Sequence, residues 1–254
     1  METVKLILQY DGTGFSGFEL QPGERTIRGE CAKALKKVYK RPIKFYSASR
    51  TDAGVHALGQ VISFKAPASI PLSKLPVAIN SVLPEDIRVI MAEKAGKGFN
   101  ARFDSKAKTY EYLIFNGAIT PPHLRKIAWQ VKPKLDIAAM KKAAKIIVGK
   151  HDFSSFCAAN SDDKNFVRII HSFVIRNSSF IIWDGQKIKV ISIIVKGNGF
   201  LYKMVRNIVG TLVEVGLGKR SPEGVKGILK AKDRTKAGRT APAQGLCLIK
   251  VWYN

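Results

Sequence analysis

The chain has 254 residues, enough to bury the core of one large domain or of two small ones. Its 43 Lys and Arg against 19 Asp and Glu give a formal charge of +24, far more than solubility requires, so a polyanionic partner, nucleic acid first, is the leading explanation, with a generally basic proteome or a ribosome-associated chain as the plainer alternative. Cys31, Cys157 and Cys247 are odd in number and far apart with no paired spacing, so neither a disulfide framework nor a zinc site is suggested, and no apolar run nears the ~20 residues that span a bilayer. Residues 1–10 lack the basic start and long apolar core of a signal peptide, so the expectation is a soluble, cytoplasmic protein.

Residues 4–10 set Val4, Leu6, Leu8 and Tyr10 on one face at period two, which predicts a strand. The loop that follows, Asp11-Gly12-Thr13-Gly14-Phe15-Ser16-Gly17-Phe18, matches the G-x-G-x-x-G spacing, but Pro22-Gly23 come too soon for it to open a helix. It reads either as a loop whose amides and two aromatics touch substrate or as an ordinary surface turn. Thr26 is placed to cap a helix running to about Lys40, with Ile27, Cys31, Ala34, Leu35 and Val38 on one face. Residues 43–48 and 60–64 read as strands entering and leaving the stretch around Asp52. A helix over 71–83 and a strand over 87–92 complete the order strand, helix, strand, strand, helix, strand, the split β-α-β arrangement with both helices on one face of an antiparallel sheet.

The second half repeats that order. Strands are predicted over 109–115, 167–175, 187–196 and 246–253, and helices over 136–148 and 200–215, with a short extra helix over 222–230. The helix over 200–215 is the strongest, packing Leu201, Met204, Val205, Ile208, Val209 and Leu212 inward. The fold class is therefore α+β: two similar β-α-β-β-α-β (ferredoxin-like) domains, 1–100 and 101–254, with antiparallel sheets flanking a basic cleft.

Three residues stand out as chemistry-bearing. Asp52 lies among small and apolar residues with Arg50 two positions before it, a spacing that in extended chain puts both on one side and keeps the carboxylate ionised. Such an Asp is a candidate nucleophile or base, or simply the cap of a turn before Gly54. Arg206 sits inside the strongest apolar helix, where it either pairs with a carboxylate such as Asp52 or snorkels to the surface to bind phosphate. Tyr110 follows the basic run Lys106-Ala107-Lys108, suited to base stacking beside phosphate contacts or to an ordinary place in the core. The four histidines have no metal-ligand spacing.

Five motifs occur in one order. They are Ser49-Arg50-Thr51-Asp52-Ala53-Gly54-Val55-His56-Ala57, Phe99-Asn100-Ala101-Arg102-Phe103, Lys108-Thr109-Tyr110-Glu111-Tyr112, Gly197-Asn198-Gly199-Phe200-Leu201-Tyr202-Lys203-Met204-Val205-Arg206-Asn207-Ile208 and Thr240-Ala241-Pro242-Ala243-Gln244-Gly245-Leu246. Together they resemble the TruA family of tRNA pseudouridine synthases across nearly the whole chain. The resemblance implies an isomerase that converts uridine to pseudouridine in the anticodon stem-loop of tRNA. It further implies that Asp52 is the catalytic aspartate, that Arg50 helps hold the flipped nucleotide, that Tyr110 stacks on the uracil, that Arg206 pairs with Asp52 and that Leu246 helps wall the pocket. A homodimer with no cofactor and no metal is implied as well. Ser49 stands where glycine is usual in the family, and Phe18 where tryptophan is usual.

Two other functions compete. An RNA-binding or RNA-chaperone protein would explain the charge but has little use for Asp52, since a bare carboxylate repels phosphate. A base methyltransferase is disfavoured because the glycine-rich loop after the first strand does not lead into a helix.

Overall fold

Val4, Leu6, Leu8 and Tyr10, the alternating apolar set at the start of the chain, are all buried along one face of β1 (Glu2–Tyr10). The computed structural model describes residues 1–67, 69–159, 161, 163–181 and 185–253. The chain is a mixed α+β protein whose residues divide into two units, Met1–Lys108 with Cys247–Asn254, and Thr109–Leu246. The closing strand therefore packs with the first unit, whereas chain order alone assigns it to the second half.

In the first unit, β1 is followed by α1 (Ile27–Tyr39), β2 (Phe45–Ser47), β3 (His56–Ala66), α2 (Leu75–Asn80) and β4 (Ile87–Lys94). β1 lies between β4 and β3 and is antiparallel to both. The other edge of β3 is shared. β2 pairs antiparallel at one end, Phe45 opposite Phe64, and the last strand of the chain, β10 (Leu246–Trp252), pairs parallel at the other, Cys247 opposite His56 and Leu248 opposite Ala57. The sheet is thus mixed, not purely antiparallel as the sequence predicts; parallel neighbours need a long crossover, and here the chain from 67 to 245 intervenes. β10 passes so close that a Cβ on Gly59 would lie 2.3 Å from the Ile249 carbonyl oxygen.

Thr26 caps α1 as its position predicts, its hydroxyl accepting from the Gly29 amide at 3.2 Å, and Ile27, Cys31, Ala34 and Leu35 are buried. Burial pushes the Cys31 thiol up to about 12, so it serves as packing. α2 is only six residues, shorter than the periodicity over 71–83 predicts. Pro76 marks its first turn, and at its end the Asn80 side chain turns to the backbone of β4, donating to the Val89 carbonyl at 2.9 Å and accepting from the Val89 amide at 2.8 Å.

The second unit contains β5 (Ala107–Asn116), β6 (Trp129–Val131), α3 (Ile137–Ile147), β7 (Gly149–Asp152), β8 (Val167–Ile181), β9 (Lys187–Gly197), α4 (Met204–Gly216) and α5 (Gly224–Ala231). Its strands are ordered β5-β9-β8-β7, with β6 parallel to β5. β6 and β7, at three and four residues, are too short to show a period in sequence. All six inward-facing residues expected of the strongest helix are buried, but α4 begins at Met204 rather than at residue 200, because Lys203 before it adopts φ +57. No helix among the described residues is long and apolar enough to cross a membrane.

One contact fixes α4 against the chain that follows it. A Cβ on Gly210 would sit 1.7 Å from the Arg239 carbonyl oxygen, so the segment 239–241 lies directly on the helix backbone. Gly210→Ala must force the two apart, and we expect a loss of about 1–3 kcal/mol, the usual cost of overpacking, read as a lower Tm. An unchanged Tm would mean that the segment yields freely.

Candidate active site

Asp52 stands half-buried at the tip of the connection between β2 and β3 in the first unit. The Val55 amide donates to the Asp52 carbonyl at 3.1 Å, and Gly54, the third residue of that turn, takes φ +78, a value that favours glycine. The glycine-rich loop packs its backbone onto this turn. A Cβ on Gly17 would lie 3.0 Å from the Thr51 carbonyl oxygen and one on Gly12 2.1 Å from that of Val55. The Phe18 amide donates to the Thr51 carbonyl at 3.0 Å, and the Gly54 amide to that of Phe15 at 3.3 Å. Phe15 and Phe18, which the sequence offers as possible substrate contacts, are instead buried, and the Arg25 guanidinium covers the Phe15 ring at 4.1 Å. The loop is a buttress for residues 51–55.

From the other side Gln60, fully buried, reaches the start of the same loop. Its Oε1 accepts from the Ser49 amide at 3.2 Å while its Nε2 donates to the Ser49 carbonyl at 2.8 Å and to the Tyr10 hydroxyl at 3.3 Å. That hydroxyl is 2.8 Å from the Thr51 Oγ1. Arg50, expected beside Asp52, is exposed and lies with its Nε 3.4 Å from Glu19 Oε1. Glu19 also holds Arg28 at 2.8 Å. β2 ends at Ser47, so Arg50 and Asp52 lie in the connection that follows it and not on a strand.

Tyr110, Arg206 and Leu246 belong to the second unit. Tyr110 is buried on β5 with its ring edge-on to Phe200 at 5.3 Å, a place in the core. Arg206 opens α4 and donates from Nε to the Ala241 carbonyl at 2.8 Å, while the Ala241 amide donates back to the Arg206 carbonyl at 3.1 Å. Part of what the guanidinium needs is therefore a backbone carbonyl. Leu246 is buried and precedes Cys247, whose register partner on β3 is His56.

The segment 234–241 is held by a polar stripe on α4 that the sequence reading passes over. Asn207, Thr211 and Glu214 recur at four and three residues on one face of the helix, with Gly210 between them. Asn207 Oδ1 accepts from Thr240 at 2.6 Å and from Arg234 at 3.0 Å, Thr211 Oγ1 accepts from the Gly238 amide at 2.8 Å, and Glu214 accepts from the Arg239 amide at 3.1 Å and from Arg220 at 2.5 Å. Beside them Tyr112 donates to the Pro242 carbonyl at 2.7 Å; burial pushes its phenol well above the usual value, against the pull of Arg206 and Arg239. Polar residues at helical spacing around a glycine, inside an otherwise apolar helix, are the signal that marks this stripe in sequence. No group of three His, Cys, Asp or Glu among the described residues is placed to hold a metal ion.

Comparison with known proteins adds a family. The model of a family described as tRNA pseudouridine synthase matches residues 6–104 and 143–254. A tRNA pseudouridine synthase A of Thermoanaerobacter sp. (strain X514) is 45% identical over 254 residues, covering 100% of both chains. Proteins of the same name from Bacillus pumilus and Bacillus subtilis are 44% and 43% identical over 253 residues, each covering 99% of both chains.

The electrostatics of the stripe give a pH dependence with a definite sign. Burial alone would raise the Glu214 carboxyl, but the bonds from Arg220 and from the Arg239 amide more than offset it and hold its pKa below the usual value. A carboxyl depressed in the folded state contributes stability that is present above its unfolded pKa and is lost as pH falls through the folded one. Glu214→Gln should therefore lower Tm at neutral pH and flatten the acid limb of the Tm–pH curve. An acid limb identical to that of the parent protein would remove Glu214 from the account.

Proposed function

The chain belongs to the tRNA pseudouridine synthase family, and from that premise we propose that it converts uridine to pseudouridine in the anticodon stem-loop of tRNA, with Asp52 as the catalytic carboxylate. The observation that carries the assignment of Asp52 is its place: a half-buried carboxylate on a loop whose backbone is fixed by glycine contacts on one side and by Gln60 on the other. A carboxylate carried on a fixed backbone suits a reaction on an extruded base, because the reacting atoms must meet within a few tenths of an ångström.

The chemistry is an internal exchange of bonds. The bond from N1 of uracil to the sugar C1′ breaks, the base turns, and C5 bonds to C1′; the C5 hydrogen leaves as a proton and N1 gains one. No electrons or groups are imported, so the reaction needs neither cofactor nor metal. In this reading Tyr110 stacks on the uracil, Arg206 pairs with the Asp52 carboxylate, Arg50 holds the flipped nucleotide and Leu246 walls the pocket. The pairing order β4-β1-β3-β2 with two interspersed helices supports a ferredoxin-like first domain. We take the second unit to be a domain of like build, the two flanking a basic cleft. The surplus of 24 positive charges supports a polyanionic substrate. By likeness to the family the enzyme acts in the cytoplasm as a homodimer, which sedimentation at micromolar concentration checks; a monomer alone would remove the dimer from the proposal.

Joining C5 to the sugar must displace the hydrogen on C5. Purified protein given tRNA with C5-tritiated uridine, in buffer with chelator and no cofactor, should release tritium to water. Asp52→Ala and Asp52→Asn should release none while binding tRNA within about tenfold of the parent affinity, or roughly 1.4 kcal/mol. A C5 methyltransferase would release label only with a methyl donor. Intact binding with no release by the parent protein would favour the RNA-binding reading instead.

A further inference from the structure

We propose that Gln60 is a positioning residue for the Asp52 loop, and that turnover depends on its side-chain amide. The inference rests on the reading of Asp52 given above. β2 ends at Ser47, and just beyond it the Ala48 amide still donates to the Val61 carbonyl of β3 at 2.9 Å. At Ser49 the chain departs from the sheet. There the Gln60 amide takes the part of the missing strand: Nε2 donates to the Ser49 carbonyl and Oε1 accepts from the Ser49 amide, the two-bond pattern of a β-bridge made by a side chain.

All four hydrogen-bonding positions of that amide are occupied. Oε1 also accepts from the Val61 amide at 3.1 Å, and Nε2 also reaches the Tyr10 hydroxyl. The orientation of the amide is fixed by its partners, since two N–H groups face Oε1 and a carbonyl faces Nε2. From Tyr10 the chain of bonds continues to Thr51, the residue before Asp52. The side chain has no exposed surface, so no water competes for these bonds. Ser49 and Thr51 are thus both tied, directly and through Tyr10, to one buried amide, three and one residues before the carboxylate.

A second side-chain amide in the same unit makes the same two-bond clamp far along the sheet. Asn80 bonds both the amide and the carbonyl of Val89 on β4. It supplies the control: an equivalent device that pins a strand and not the Asp52 loop. Gln60 and Asn80 therefore separate loss of position from loss of stability.

The test measures tritium release and tRNA binding for Gln60→Leu, Tyr10→Phe and Asn80→Leu, each well below its own Tm. For Gln60→Leu we expect kcat to fall about tenfold to a hundredfold, the scale on which a small misplacement of a reacting group acts, with tRNA affinity within about threefold. Tyr10→Phe should lower kcat less. Asn80→Leu should lower Tm and leave kcat unchanged. Hydrogen exchange of the parent and of Gln60→Leu supplies a readout independent of turnover, with faster exchange at the Gly54 and Val55 amides in the variant. A folded Gln60→Leu protein with parental kcat overturns the inference, and so does an Asn80→Leu protein that loses kcat as much for the same loss of Tm. A parent protein that releases no tritium overturns the assignment of Asp52 instead, which keeps the two failures distinct.

Discussion

Close approach of backbone to backbone around residues 51–55 is the constraint on which the rest of the first unit turns. Gly12 and Gly17 leave no room for a side chain against Val55 and Thr51, and Gly54 takes a backbone conformation that other residues adopt only at a cost. Phe15 and Phe18 anchor the buttressing loop in the core, and Tyr10 closes it from β1 through Thr51. Each group is a poor participant in chemistry but an effective restraint. The consequence is that the backbone carrying Asp52 is held in place, and under the proposed function this supplies the preorganisation from which much of an enzyme's rate enhancement originates.

α4 organises the second unit by a different means. Eleven of its thirteen residues are buried, so it is packed on nearly all sides, and the two left partly open, Arg206 and Glu214, both bond to the segment 239–241. That segment brings with it Pro242, which receives the Tyr112 hydroxyl, and Gly245, which lies against the Tyr112 ring. Arg206 and Leu246 are therefore placed by one connected set of contacts, while Tyr110 is fixed separately on β5 by Phe200.

Elements with a long period were legible in sequence: β1, α1 with its Thr26 cap, β8, β9, and the apolar face of α4. What the sequence hid has physical causes. β3 starts four residues before its predicted beginning because it is buried on both faces, which erases the alternation. The parallel placement of β10 beside β3 depends on residues far apart in the chain, and the period of neither strand reports it. At the site, Asp52 could be singled out because a charge among small apolar residues is unusual. Gln60 could not, because a lone amide at the head of Val61-Ile62-Ser63-Phe64 looks like the polar first residue of a strand; its importance lies in four partners that only the folded chain assembles.

The contact that Arg50 makes bears on its proposed role. Glu19 is shared by two arginines, and they are not equivalent. Arg28 lies at 2.8 Å with about a fifth of its side chain exposed, and its guanidinium also covers the Phe45 ring at 4.6 Å, so it is committed to the fold. Arg50 lies at 3.4 Å with 63% of its side chain exposed. An exposed pair of that kind contributes about 0–1 kcal/mol, so moving the Arg50 guanidinium from Glu19 to a phosphate sacrifices little, and the bidentate geometry that a phosphate offers is stronger than what it leaves. Glu19 keeps its second partner when Arg50 departs, so no carboxylate is stranded. Under the proposed function, Arg50 is thus held near the Asp52 turn in the absence of RNA by a contact weak enough to be exchanged for the nucleotide.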